Sequence, residues 1–372
     1  MNAGIALLTM FPGRVGGAET YVRGLVGAFA AGDGPELSTL LVSRHSRAAM
    51  EPFSGTLVAV REIDSYRPGD SDITRLAAMA FAGIAPRKAA RGVPAGLDLL
   101  HYPVTVPIPK VPGLPTVVSL FDIQHHDMPH LFSRAERAFR GWAYDGSARK
   151  ADEVITITRF SAERIVERLG IPAARVHPIH LGIDHSRFTL DGPPPAVPGL
   201  PDRYVYYPAN AWPHKNHERL VEAFSRVEDP ELHLVLTGSG HEPRPGDEKR
   251  RVVRLGLVAA EAIPGLYREA LALVFPSLYE GFGFPPIEAM ACGCPVAASN
   301  VGAVAEVCGD AALLFDPADS EAITDAITRV TSDEGLRDSL RAAGLEHAAG
   351  FTWAATARQH LSVYEKALSG AH

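Results

Sequence analysis

Short apolar runs alternate with amphipathic stretches along most of the chain. Ile5–Leu8, Leu37–Val42, Leu57–Val60, Leu97–His101, Thr116–Leu120, Glu153–Thr156 and Val176–Ile179 each read as a buried strand. Between several of them the apolar positions recur with helical spacing, as in Ala18–Ala31 and Ser161–Leu169. Strands that are apolar at nearly every position, separated by helices, predict a parallel sheet covered on both faces. The rhythm stops from Asp184 to Arg203, where Pro193, Pro194, Pro195, Pro198 and Pro201 occur with Gly192 and Gly199. Proline fixes φ and has no N–H, so this stretch is neither a helix nor a central strand.

Beyond it the alternation resumes. Tyr204–Tyr207, Leu232–Leu236, Val252–Leu255, Ala272–Phe275 and Cys294–Ala298 are the predicted strands. His217–Phe224, Ile263–Glu269, Pro286–Ala291, Ser320–Ser332, Glu334–Ala348 and Trp353–Leu368 are the predicted helices. The whole is an α/β chain of two doubly wound, Rossmann-like domains. The expected division is residues 1–185, a linker over 186–203, a second domain over 204–352, and a final helix over 353–372. Ligands of such sheets bind at the carboxyl ends of the strands, near the switch in strand order, so the loops after strands are where chemistry is expected.

A length of 372 residues suits two domains at roughly 100–200 residues each. The net charge of -7 argues against nucleic acid as a partner, which would call for a basic footprint. The three cysteines, Cys292, Cys294 and Cys308, imply no disulfide framework, and no second ligand pair completes a zinc site, so buried thiols in a reducing cytoplasm are expected. Met1–Met10 lacks the basic region of a signal peptide, and no apolar run approaches the ~20 residues of a membrane span. The expected location is the cytoplasm, at most with peripheral membrane contact. Two basic stretches bear on that contact, Ile73–Arg91 and Ser133–Lys150, in which arginines and lysines interleave with apolar residues. Such helices can lie on membranes, and more often they are half-buried surface helices.

The most informative segment is Glu280-Gly-Phe-Gly-Phe-Pro-Pro-Ile-Glu288. It leaves the strand Ala272–Phe275 and runs into a helix that opens near Pro285 and Pro286, a position that suits proline. Gly281 and Gly283 let the backbone approach a ligand closely, and loop amides with a helix N-terminus favour an anion such as a diphosphate. Glu288, in the first helical turn, could accept from two vicinal hydroxyls such as those of a ribose, and Glu280 could face a sugar. The plain alternative is a glycine-containing turn with two exposed glutamates.

The run Phe275-Pro-Ser-Leu-Tyr-Glu-Gly-Phe-Gly-Phe-Pro-Pro-Ile-Glu-Ala-Met290, followed by Gly293-Cys-Pro-Val296 and Glu306-Val-Cys-Gly-Asp-Ala311, strongly resembles glycosyltransferase family four. Resemblance covers nearly all of the C-terminal half and is weaker in the N-terminal half. It implies a retaining transferase of the GT-B fold, with two Rossmann-like domains, an interdomain cleft and a final helix, 353–372, that crosses back to the first domain. It implies that Glu280 lies by the donor sugar and Glu288 binds the ribose. It gives Lys215, in Pro208-Ala-Asn-Ala-Trp-Pro-His-Lys-Asn216, the diphosphate of the leaving group, and places Gly238 near the nucleotide and Leu257 near the base. Gly281, Phe282, Gly283 and Phe284 form the donor loop. Asn210 stands where many members have arginine and offers a hydrogen bond without charge. The missing charge must come from loop amides or Arg14.

In the N-terminal half, Pro12-Gly-Arg-Val-Gly-Gly-Ala-Glu19 lacks the G-x-G-x-x-G spacing of a dinucleotide site and resembles the family's Gly16-Gly17 loop, which approaches the donor phosphate and the acceptor. Asp122 is kept where relatives often carry His-Asp, and the histidine position is Phe121. Arg14, His125 and His126 are the acceptor-side candidates, with Asp122 joining Glu280 and Lys215 as candidate catalytic residues. The resemblance implies front-face displacement with no protein nucleophile. No Asp-x-Asp signature is present, so no cofactor and no essential metal are expected, the nucleotide sugar being a co-substrate. The sugar is expected to be a hexose, GDP-mannose first, and the acceptor a glycan, a lipid-linked sugar or a small molecule. The rival readings are a GT-B sugar-nucleotide epimerase or phosphorylase, and a non-enzymatic two-domain protein that binds a small ligand.

Overall fold

The computed structural model describes residues 1–13, 16–71, 74, 78–79, 82 and 85–370. It forms two compact units, Met1–Gly182 with Trp353–His372, and Ile183–Thr352. In the first unit the strands are β1 (Asn2–Leu7), β2 (Leu37–Val42), β3 (Val58–Glu62), β4 (Leu99–Tyr102), β5 (Thr116–Ser119), β6 (Glu153–Thr156) and β7 (Val176–Pro178). They pair in the order β3-β2-β1-β4-β5-β6-β7, parallel throughout. In the second unit β8 (Tyr204–Pro208), β9 (His233–Thr237), β10 (Val252–Gly256), β11 (Ala272–Phe275), β12 (Val296–Ser299) and β13 (Leu313–Phe315) pair in the order β10-β9-β8-β11-β12-β13, again parallel. The strand order reverses between β1 and β4 in one sheet and between β8 and β11 in the other. These are the two switch points.

The predicted strands are all present, with ends shifted by up to three residues. β13 and the helix Gly302–Cys308 lie outside the predicted elements. β13 has three residues at a sheet edge, with Leu314 exposed, too short and too one-sided to show a pattern. The expected boundary at residue 185 falls instead between Gly182 and Ile183, and the proline-rich stretch is a coat on the second unit rather than a free connector. Arg268 donates to the carbonyls of Thr189 (3.2 Å) and Pro193 (2.8 Å), which takes up backbone acceptors that a proline segment cannot use in a ladder. Where the chain enters and leaves this unit, Ile183 pairs with Thr352 and its N–H donates to Phe351.

The helix Trp353–Ser369 belongs to the first unit. It packs on the helix Gly17–Ala30, where Gly24 leaves room for the Trp353 ring: a Cβ there would lie 2.0 Å from it. Beneath this contact runs a buried chain of hydrogen bonds. Tyr364 lies 2.7 Å from His101 Nδ1, His101 Nε2 lies 2.8 Å from Ser119, Ser119 lies 2.8 Å from Tyr21, Tyr21 lies 2.7 Å from His360 Nε2, and His360 Nδ1 lies 2.8 Å from the Thr356 carbonyl. The carbonyl can only accept, so every proton is assigned in turn. His360 Nδ1–H donates to Thr356, Tyr21 to His360, Ser119 to Tyr21, His101 Nε2–H to Ser119, and Tyr364 to His101.

The basic stretch Ser133–Lys150 is not one helix. Ser133 and Glu136 form a capping box for Arg134–Arg140, a π-helical turn occupies Gly141–Asp145, and an α-turn Gly146–Lys150 follows. The π-turn sends Trp142 outward, 61% exposed, and Asp145 inward. Of Ile73–Arg91 the structure describes only part, including the helix Pro86–Ala89. Among the described residues no helix is long and apolar enough to cross a membrane.

Candidate active site

The switch point of the second sheet is built from the loops that leave β8 and β11. The strands are neighbours, with Val205 beside Ala272 and Tyr206 beside Leu273, so these loops must run side by side. Three contacts stitch them together. The Leu278 N–H donates to the His214 carbonyl at 2.8 Å. Asn216, buried and in the left-handed region at φ 62°, donates from Nδ2 to the carbonyls of Pro276 (3.1 Å) and Pro317 (2.8 Å). The Tyr207 hydroxyl donates to the Lys215 carbonyl at 2.9 Å and accepts from Ser277 at 3.0 Å. Lys215 and Glu280 are thereby brought together, Nζ to Oε1 at 2.5 Å, with both side chains largely enclosed. An ammonium has three donors, and this one is hydrogen-bonded to no other described group.

Glu288 stands on the helix Phe284–Ala291, eight residues after Glu280. This helix starts two residues earlier than predicted, so Pro285 and Pro286 fall inside its first turn. Of the first four helical residues only Phe284 and Ile287 carry an N–H, and the anion-binding capacity of this helix end is reduced accordingly. Glu288 keeps a partly accessible edge, while its carboxylate is set deep and accepts from the Tyr267 hydroxyl at 3.1 Å. Burial pushes its carboxyl up to about 7, against the opposing pull of Tyr267 and the Arg187 guanidinium. Phe282 is buried against Phe284 and Phe351, so the loop after Glu280 is anchored by its aromatic residue between Gly281 and Gly283.

Asn210 and Gly238 also meet. Asn210 Oδ1 accepts from the Ser239 N–H at 2.8 Å. Gly238, at φ 125°, presses so closely that a Cβ would lie 2.6 Å from the Ala209 carbonyl oxygen. Next to this turn is a pair of histidines that the sequence did not single out. Arg254 donates to His241 Nδ1 (3.2 Å), so His241 carries its proton on Nε2 and gives it to the Ala209 carbonyl (2.8 Å) and towards His217 (3.1 Å). Burial, with neighbouring His241 and Arg254, lowers His217 to about 3, and burial with Lys215 lowers His214 to about 4. Leu257, in contrast, is 79% exposed in the loop after the edge strand β10, two strands away from β8.

In the first unit Gly16 and Gly17 open the first helix, directly after β1 at the switch point. Glu19 organises this turn by accepting from the Gly13 N–H (2.6 Å) and from Arg23 (2.9 Å). Arg14 lies outside the described residues. Asp122 leaves β5 and accepts from the Gln124 N–H at 2.9 Å, and Phe121 packs edge-on against Tyr21. His125 and His126 both turn onto one buried carboxylate, Asp145, at 3.0 and 2.7 Å. Burial pushes this carboxyl up, but the two imidazole donors outweigh it and hold Asp145 below its ordinary value. The three side chains have the composition of a cation site. However, His125 Nδ1 is buried without a partner, whereas ligating histidines give that proton to an outer acceptor. The cluster is explained as a double clamp on the π-turn. Cys292, Cys294 and Cys308 are buried free thiols, all pushed up by burial, Cys292 and Cys308 to about 12.

Comparison with known proteins adds the following. The family model described as "Glycosyl transferases group 1" matches residues 197–347, and that described as "Glycosyltransferase Family 4" matches residues 15–187. The O-antigen chain mannosyltransferase B of Escherichia coli is 30% identical over 266 residues, 67% of this chain and 70% of its own length. The MMP alpha-(1->4)-mannosyltransferase of Mycolicibacterium hassiacum is 30% identical over 60% of this chain and 56% of its own. With the serotype-specific mannosyltransferase WbdA of Escherichia coli the match spans 70% of this chain but only 34% of that longer protein, at 27% identity. Among solved structures, sucrose-phosphate synthase of Thermosynechococcus elongatus superposes with a TM-score of 0.73 at 22% identity, over all of both chains. HepE of Anabaena, solved with UDP and glucose, gives a TM-score of 0.68 at 18% identity over 98% of this chain and all of its own.

Proposed function

Because this chain belongs to glycosyltransferase family four and is a glycosyltransferase of the GT-B fold, we propose that it is a retaining hexosyltransferase that moves mannose from GDP-mannose to a hydroxyl acceptor. The observation that carries this reading is the Lys215–Glu280 pair, held at the β8/β11 switch point by backbone-directed contacts. Lys215 is the ammonium that meets Glu280, and its two remaining donors suit the diphosphate leaving group. As the bond from the anomeric carbon to the diphosphate oxygen breaks, charge grows on that oxygen and the ammonium offsets it. The acceptor oxygen bonds to the same face of the anomeric carbon, and its proton passes to the departing phosphate oxygen. Glu280 orients Lys215 and faces the sugar, and Glu288 accepts from the ribose hydroxyls. The mannosyltransferase relatives favour mannose over other hexoses. The acceptor, a glycan, lipid-linked sugar or small molecule, is assigned to the first unit, with Asp122 on that side. The reaction is proposed to proceed in the cytoplasm and without an essential metal, so a chelator should leave turnover unchanged.

The test is transfer from a panel of GDP- and UDP-hexoses, with product configuration read by NMR. GDP-mannose should give the highest turnover, with the α-configuration kept. An inverted product would overturn the mechanism, and no turnover or binding with any nucleotide sugar would overturn the function. Lys215→Ala should lower kcat by roughly 10²–10³-fold, the size of effect seen when a charge-stabilising donor is removed. Donor hydrolysis without acceptor should fall in parallel.

A further inference from the structure

We propose that the first unit holds a single-chain anionic amphiphile, its hydrocarbon chain in a cavity against β4 and β5 and its acidic head group between Lys110 and Lys150. The cavity measures about 410 Å³, within the ~300–1,000 Å³ of small-molecule sites. Tyr102 and Val118 contribute from the sheet, Val106 and Ile108 from the loop after β4, and Ala143 from the π-turn. The polar side chains on this wall are spent on the protein itself. The Tyr102 hydroxyl donates to the Pro109 carbonyl at 2.7 Å, Thr116 to Asp152 at 2.8 Å, and Ser147 to the Ala143 carbonyl. The interior therefore offers side-chain contacts to hydrocarbon and no free side-chain hydrogen-bonding partner.

The mouth is different. Lys110, Lys150 and Trp142 line the cavity and are exposed. Neither lysine has an ion-pair or hydrogen-bond partner among the described residues, and Asp152, the nearest acid in sequence to Lys150, is taken up by the N–H and hydroxyl of Thr116. Two exposed ammonium groups that line one cavity, neither paired with a carboxylate among the described residues, call for an anion. Burial and then Lys150 hold Lys110 below its ordinary value, which agrees with this geometry. The indole at the rim suits the boundary between a chain and its head group. The ligand that fits is apolar along its length and acidic at one end.

This site is separate from the transfer chemistry. Lys110 precedes β5 and Lys150 precedes β6, so the mouth lies by the amino ends of those strands, whereas Asp122 leaves the carboxyl end of β5. Occupancy would anchor or regulate the enzyme rather than supply a reacting group.

Titration calorimetry of the full-length protein tests this with monododecyl phosphate below its critical micelle concentration. Dodecanol, inorganic phosphate and dodecyltrimethylammonium serve as comparison ligands. Saturable one-to-one binding of monododecyl phosphate is expected. The double variant Lys110→Ala/Lys150→Ala should bind at least about tenfold more weakly, the scale of losing charged hydrogen bonds, while its GDP-mannose hydrolysis is unchanged. Val106→Trp, which fills the cavity, should also abolish binding. If that variant does not fold, the lysine variant, altered only at exposed positions, still decides. Absence of saturable binding, equal affinity in the lysine variant, equal affinity for the cationic surfactant, or equally tight binding of phosphate alone would each overturn the proposal. Failure here would leave the transferase assignment untouched, since the assays share no residue.

Discussion

On the proposed reading, in which Glu288 accepts from the ribose hydroxyls, nucleotide binding is coupled to pH. Only the carboxylate can accept from two hydroxyls, yet burial has pushed its carboxyl up to about 7. Nucleotide binding should release a proton below that value. Affinity should fall by up to about tenfold for each pH unit below 7 and level off above it. Calorimetry at pH 6.0 in buffers of different ionisation enthalpy checks the proton count, and Glu288→Gln should bind weakly at every pH. The same shift has the opposite sign for stability. A carboxyl whose folded value is raised contributes stability that is present below its unfolded value and lost as the pH rises through about 7. Ligand-free Glu288→Gln should therefore melt higher than the parent at pH 8, a gain in stability at a cost in function. Glu280 and Glu288 were legible in the sequence because they end one short segment, although Glu288, expected in the first helical turn, is the fifth residue of a helix that opens at Phe284. That Glu280 meets Lys215 was not, since those residues lie far apart in the chain and meet only because β8 is beside β11. Tyr207, Asn216 and Ser277, which hold the two loops together, are ordinary strand and loop residues with no spacing to mark them.

The C-terminal helix shows what local pattern can and cannot reveal about an element. Its amphipathic face is plain in the sequence, and its return to the first domain came from family resemblance. What pins it there is a directed chain of protons through Tyr364, His101, Ser119, Tyr21 and His360, each residue unremarkable in its own segment. Tyr364→Phe leaves His101 Nδ1 buried without a donor and should destabilise the protein by roughly 1–3 kcal/mol, read by urea unfolding. Gly24→Ala drives a methyl into the Trp353 ring and should cost a similar ~1–3 kcal/mol by the same measurement. His360 is held down to about 4 by burial. It contributes stability that is intact above its unfolded value, near ~6.5, and is lost as the pH falls towards 4. The midpoint of urea unfolding should drop across that window, and His360→Gln should flatten the drop. The proline-rich stretch illustrates the opposite error. Five prolines do exclude helix and ladder. They do not exclude packing, and Arg268 collects the carbonyls that the stretch leaves over.

On the scale of the whole chain, the two units differ in how they are threaded. The second is one continuous run, Ile183–Thr352, and the first needs residues from both sides of it. A chain truncated after Thr352 should keep a trypsin-resistant fragment corresponding to the second unit while the first is digested. Survival of both would show that the last helix is dispensable. This threading also orders events on the ribosome. All seven strands of the first sheet emerge early, yet Tyr21 and Phe29 keep an open flank until Trp353–Ser369 has been made. At about 5–20 residues per second the wait is on the order of tens of seconds. The domain begun first is thus the last to be completed, and the one begun second can fold in the interval. A premature stop after Thr352 would harm the half of the protein translated long before it.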